Sequence, residues 1–212
     1  TVRLRATDSD GGSSDGEIAA GDLDGNAFVV TVENAAPVIA PIADLSTSEG
    51  AAVTLNASFT DPAGIAYANQ PGTESFTYSI DWGDGSQPTS GNVTNVQSGL
   101  AGQSLTSGTI SQSHTYHDNG TYRVTLTVTD DNAGVGSSRF VVNVSNVAPQ
   151  LTVDPTVPTT LVGQPFVVTG TYADVSGDSV VVYVDVGDGQ LRRAVLDNGS
   201  FRFTHAFEQA GP

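Results

Sequence analysis

At 212 residues the chain has room for one large or two small domains, and its 38% hydrophobic content is ample for packed cores. The formal net charge is -16 and all seven basic residues are Arg, a balance that repels phosphate backbones and argues against a nucleic-acid partner. With no Cys there is no disulfide framework, thiolate metal site or thiol nucleophile, and no apolar run approaches the length of a membrane span.

The chain opens on TVRLRAT (1–7), a strand pattern that runs into the turn-rich DSDGG (8–12). An acidic insertion follows, so that residues 8–26 read as one loop, and FVVTV (28–32) resumes the strand pattern before NAAP (34–37). Further on, AVTLNASF (52–59), TYRVTLTVTD (121–130), RFVVNVSN (139–146), FVVTGTYAD (166–174) and VVVYVDVGDG (180–189) alternate with period two. They are rich in Val, Thr, Tyr and Phe, and clusters of Gly, Asp, Asn or Pro bound them. No segment holds a helical period. The chain therefore reads as all-β, built of short strands in a sandwich of two sheets.

The pattern also repeats. EGAAVTLNASFTDPAG (49–64) aligns without a gap on VGQPFVVTGTYADVSG (162–177), DWGDGS (81–86) on DVGDGQ (185–190), and HTYHDNG (114–120) on HAFEQAG (205–211). VENAAP (32–37) aligns on VSNVAP (144–149). After Gly120 the middle copy continues into TYRVTLTVTDDNAG, and the counterpart of that continuation stands at residues 1–37. The expected organisation is one complete unit at 35–146 and one unit split between 147–212 and 1–34.

These paired motifs resemble the PKD domain, a family named after polycystic kidney disease proteins. Its marks are a GDG turn, here DWGDG (81–85), and a later His-x-Tyr corner and strand, here HTYHDNGTYRVTLTVTD (114–130). The second copy departs from the pattern, with Val186 in place of Trp82 and HAF in place of HTY. The resemblance implies tandem immunoglobulin-like β-sandwiches, an extracellular or cell-surface setting and a non-enzymatic role. It spans nearly the whole chain but says little of function, since one fold serves many hosts.

Local chemistry agrees with that fold. Asp84-Gly85 and Asp188-Gly189 supply the positive φ of a tight hairpin. Trp82, the one Trp, is expected to pack over the core edge. Tyr116 or Tyr122 is expected to act as a corner tyrosine, its hydroxyl bonded to nearby backbone.

Candidate chemistry is sparse. His114 and His205 share one position in the two copies, which points to a structural role, and His117 lies in a loop. Asp81/Asp84 and Asp185/Asp188 could be drawn as acid/base pairs, yet both belong to the turn signature. No Ser-His-Asp order or HExxH motif occurs, so no catalytic residue is assigned. For a metal, DLDGNAFVVTVE (22–33) has the acidic spacing of an EF-hand loop, but Ala27 stands where that loop needs Gly and a strand follows instead of a helix. A looser Ca2+ loop at a hairpin tip would draw on Asp8, Asp10, Asp22, Asp24 and Asn26; the plain alternative is a solvated acidic loop. The resemblance adds a second candidate at the unit junctions, where Asn34 and Asp61, or Asn146 and Asp174, would share a Ca2+ ion. Tyr67 and Phe76, in or near an insertion, leave room for a small glycan site.

Two accounts of the split unit stand. The chain is one stretch of a long tandem array, or the strands at 1–34 of one molecule complete the sandwich of the next by strand complementation. In both, the expected partner is a further copy of the same repeat, head to tail, in an open-ended assembly. The function expected is that of a spacer, stalk or filament subunit. The alternative is an accessory glycan- or protein-binding module of a secreted hydrolase or adhesin.

Overall fold

Period-two alternation becomes burial once the strands pair. The computed structural model describes the backbone of residues 2–7 and 13–18, and residues 34–62, 74–100, 104–155, 159–175 and 178–209 in full. In chain order the strands are β1 (Val2–Thr7), β2 (Ser13–Ile18), β3 (Val38–Ile39), β4 (Leu45–Ser48), β5 (Ala52–Asp61), β6 (Phe76–Asp81), β7 (Thr89–Asn92), β8 (Asn95–Gln97) and β9 (Thr106–Thr115). They continue as β10 (Gly120–Asp130), β11 (Val135–Ser145), β12 (Gln150–Val153), β13 (Pro165–Ala173), β14 (Tyr183–Asp185), β15 (Leu191–Arg193), β16 (Val195–Asp197) and β17 (Ser200–Ala206). The fold is all-β, and among the described residues no helix is long and apolar enough to cross a membrane.

The chain divides into two compact units, Thr1–Asn34 and Ala35–Pro212. In the first, β1 and β2 pair antiparallel, from Val2 opposite Ile18 to Thr7 opposite Ser13. This corrects the expectation of a single acidic loop at 8–26, because β2 runs through it. A neighbouring segment closes a ladder at small loop entropy, which outweighs the weak strand composition of SSDGEI.

In the second unit a five-stranded sheet, ordered β4-β11-β10-β6-β7, packs against a four-stranded sheet, β3-β5-β9-β8. Alternate residues of β5 (Val53, Leu55, Phe59) and of β10 (Val124, Leu126, Val128) are buried between the sheets. Each such side chain contributes roughly 2 kcal/mol of hydrophobic stabilisation. Phe59 and Phe76, from opposite sheets, meet edge to face at 4.8 Å. The β10–β11 hairpin sets Val124 opposite Phe140 and Thr129 opposite Val135, the same register that Val2 and Ile18, Thr7 and Ser13 keep in β1–β2.

Residues 150–206 repeat part of this plan. The sheet β12-β13-β17-β16 follows the order of β3-β5-β9-β8, and the β14–β15 pair takes the place of β6–β7. Among the described residues of this stretch, no strand occupies the place of β10 or β11. The effect on burial is direct. Leu55, Ile80, Trp82 and Tyr116 are closed off in the middle sandwich, whereas the aligned Val168, Val184 and Val186 are half-buried and Phe207 is exposed.

Candidate functional site

The signature residues assemble at one corner of the middle sandwich. Asp81 and Asp84 each hold a bend, accepting the Gly83 and Ser86 amides at 3.0 Å. The left-handed residues are the two glycines, Gly83 (φ 77) and Gly85 (φ 81). A close approach demands the first of them, since a Cβ on Gly83 would stand 2.4 Å from the Arg123 carbonyl oxygen. The connection is the loop 82–88 and not the two-residue turn expected from Asp84-Gly85. Two Asp side chains bonding their own backbone stabilise this wider loop.

Trp82 is buried, and its indole N–H donates to Thr89 Oγ1 at 2.9 Å. The His114 ring stacks on the indole at 4.8 Å and 9°, and its Nε2 donates to Asp84 Oδ2 at 2.7 Å. Tyr116 packs edge-on against His114 and donates its hydroxyl to the Trp82 carbonyl at 3.0 Å. Tyr122 stacks on Tyr116 at 4.2 Å and donates to the Asp118 carbonyl at 2.8 Å. Both tyrosines therefore bond backbone: Tyr122 closes its own corner, and Tyr116 reaches across to the GDG loop. Burial alone would raise the Asp84 carboxyl, but hydrogen bonds from Ser86 and His114 outweigh it and hold the group at about 2. A His–Asp pair of this length is the orienting half of a triad. Here it is clamped between Trp82 and Tyr116 and acts as a latch on the loop.

The second copy keeps the loop and changes the latch. Asp185 accepts the Gly187 and Gly189 amides, and Asp188 accepts that of Gln190. Arg192 grips Asp188 at 2.9 and 2.5 Å, and its hydrogen bond pulls that carboxyl below the usual range. His205 is drawn instead among Phe166, Phe203 and Phe207. The shared histidine position does not mean a shared partner, because Val186 offers no indole plate and Arg192 competes for the carboxylate.

Of the expected Ca2+ ligands, Asp8, Asp10, Asp22, Asp24 and Asn26 lie outside the described residues. Asn34 and Asn146 are exposed, Asp61 is fully buried at the end of β5, and Asp174 is half-buried with Oδ1 accepting the Val175 amide at 2.9 Å. Asp61 belongs to an acidic pole with Glu74, Asp130 and Asp131. There burial, then a hydrogen bond and the charge of Asp131, then Asp61 and Asp130, push Glu74 up to about 7. Phe76 is core and not a surface aromatic, 2% exposed against Phe59, and Tyr67 lies outside the described residues.

A different set of carboxylates converges at the other pole of the middle sandwich. Glu49, Asp118 and Asp178 each bring an oxygen within 4.8 Å of the other two. They come from the turn before β5, the β9–β10 corner and the segment between β13 and β14. Sequence reasoning missed all three. Glu49 and Asp118 each stand in a repeated motif, but nothing in the spacing of 49, 118 and 178 announces that they meet.

The middle sandwich is thus an immunoglobulin-like β module with a GDG loop latched to a His-x-Tyr corner. Residues 102–144 match the family model described as PKD domain, and this part of the chain is of PKD type. Over 33 residues the chain is 58% identical to chitinase A of Pseudoalteromonas piscicida, a match covering 16% of this chain and 4% of that protein. Among solved structures, the PKD domain of an M14-like peptidase from a Thermoplasmatales archaeon is 21% identical, covering 54% of this chain and 100% of its own, with a TM-score of 0.32. The FN1–FN3 domains of chicken CNTN1 are 12% identical, covering 95% of this chain and 65% of theirs, with a TM-score of 0.27.

Proposed function

We propose that the chain is a non-catalytic structural module of a secreted or surface protein, a spacer or stalk whose units join head to tail. The observation that carries this reading is the incomplete burial of the core positions of residues 150–206, taken together with the matching register of the β1–β2 pair. The aligned core positions Val168, Val184, Val186 and Phe207 stay partly or wholly exposed where β10 and β11 would cover them. The β1–β2 pair has the register of β10–β11. A hairpin of this kind from a second copy would complete the sandwich and add its strands to the open sheet. The join is heterologous, so successive copies add head to tail. The surface chemistry suits the role: the corner residues that could have served catalysis are spent on holding loops.

Sedimentation velocity tests the reading. The whole chain is expected to form a concentration-dependent series of oligomers, and a variant lacking residues 1–34 to remain a monomer. A whole chain that stays monomeric at every concentration would sink it. The second reading, an accessory binding module of a secreted hydrolase, is favoured by the match to chitinase A. Retention of the chain on insoluble chitin would select it.

A further inference from the structure

We propose that Glu49, Asp118 and Asp178 form a divalent-cation site, suited to Ca2+, that locks the middle sandwich to the segment following β13. The inference deepens the spacer reading and rests on it for its purpose, though not for its chemistry.

Glu49 is the anchor. It is 2% exposed, and its backbone N–H donates to the Ser145 carbonyl at 3.0 Å. Its Oε1 accepts the Val147 amide at 2.5 Å, while Oε2 is buried with no hydrogen-bond partner. A buried carboxylate oxygen left bare is costly, and a cation is the partner that would satisfy it. Two more carboxylates face the same point, within 4.8 Å. Three negative charges this close repel one another. A bound cation turns the repulsion into attraction.

The ligand set selects the ion. All three donors are carboxylate oxygens, which suit a hard cation and offer nothing to a soft one. Oxygens on opposite sides of one Ca2+ stand about 5 Å apart, and on Mg2+ about 4 Å. Every pair of these oxygens lies within 4.8 Å, close enough for one hard cation to bridge all three. Protein donors fill about half of a Ca2+ shell of roughly six to eight oxygens, and water supplies the rest.

The positions give the site a mechanical role. Glu49 already holds the linker through Val147, and Gly50 donates to the Tyr116 carbonyl at 2.8 Å. A Cβ on Gly50 would meet the Val175 side chain at 3.0 Å, so the turn and the segment carrying Asp178 are in close contact. Asp118 lies in the corner that Tyr122 closes. One ion at this point would join turn, corner and the following segment, and restrict bending at the NVAP linker.

Isothermal titration with CaCl2, and with MgCl2 as control, tests the site on the whole chain kept dilute enough to be monomeric. Binding is thus read apart from head-to-tail association. One Ca2+ is expected to bind more tightly than Mg2+ and to raise the melting temperature followed by Trp82 fluorescence. Asp118→Asn and Asp178→Asn are each expected to weaken Ca2+ binding by roughly tenfold or more. Glu49→Gln keeps an acceptor for the Val147 amide, so it is expected to fold and still lose the ion. Failure of the parent chain to take up Ca2+ would overturn the site. So would Asp118→Asn and Asp178→Asn variants that bind Ca2+ as the parent does, since any ion would then sit elsewhere.

Discussion

The Tyr116 hydroxyl donates to the Trp82 carbonyl at 3.0 Å, out of reach of solvent, and joins the two motifs that recur along the chain. The GDG loop and the His-x-Tyr corner are thereby one structural unit. Its removal has a graded cost. Tyr116→Phe leaves a buried carbonyl without that donor and is expected to cost about 1–3 kcal/mol. Tyr122→Phe loses a more exposed bond to Asp118 and is expected to cost less, about 0.5–1.5 kcal/mol. Urea unfolding followed by Trp82 fluorescence measures both. Equal losses would contradict the ranking.

Asp84 provides an acid-sensitive latch. Its folded-state value of about 2 lies below the ordinary 3.8, so its contribution is full above 3.8 and is lost as pH falls towards 2. Asp84→Asn is expected to lower stability at pH 7 by about 1–2 kcal/mol and to flatten the decline of stability below pH 4. Unfolding free energies of parent and variant between pH 2 and 7 test this. Parallel curves would show that Asp84 carries no linkage.

Glu74 works in the opposite sense. Its folded-state value of about 7 lies above the ordinary 4.5, so the native state holds a proton that the unfolded chain releases. Its contribution is full below 4.5 and is lost as pH rises through 7. Glu74→Gln keeps the neutral form at every pH and is expected to raise the melting temperature at pH 8 while changing little at pH 4. A variant no more stable than the parent at pH 8 would refute the assignment.

Gly83 and Gly85 separate two costs. Both have positive φ, but a Cβ at Gly85 meets nothing within 4 Å, while one at Gly83 meets the Arg123 carbonyl oxygen at 2.4 Å. Gly85→Ala is expected to cost about 1 kcal/mol from backbone strain alone. Gly83→Ala adds a clash with β10 and is expected to cost roughly 3 kcal/mol or more, with loss of the Trp82–His114 stack. Thermal melts rank the two. Similar shifts would mean that the backbone moves aside.

Much of this was legible in the residues. Alternation in 52–59 and 121–130 predicted strands whose inner faces are buried, because a strand's side chains must point to opposite sides. Trp82 and the tyrosines were placed correctly, since an amphipathic ring near a turn has few ways to bury its body and satisfy its polar atom. The second strand of the first hairpin was not legible. Ser13–Ile18 carries little apolar pattern, and its pairing comes from proximity to β1.

By itself, then, the sequence determined the all-β class, the repeating motifs and the corner chemistry, all of which follow from local periodicity and from bonds between near neighbours. Only the tertiary structure decided that His114 takes Asp84 while His205 takes three phenylalanines. It alone brought Glu49, Asp118 and Asp178 to one point. Partner choice of this kind depends on which strands pack together and on what competes nearby, and no spacing along the chain encodes it.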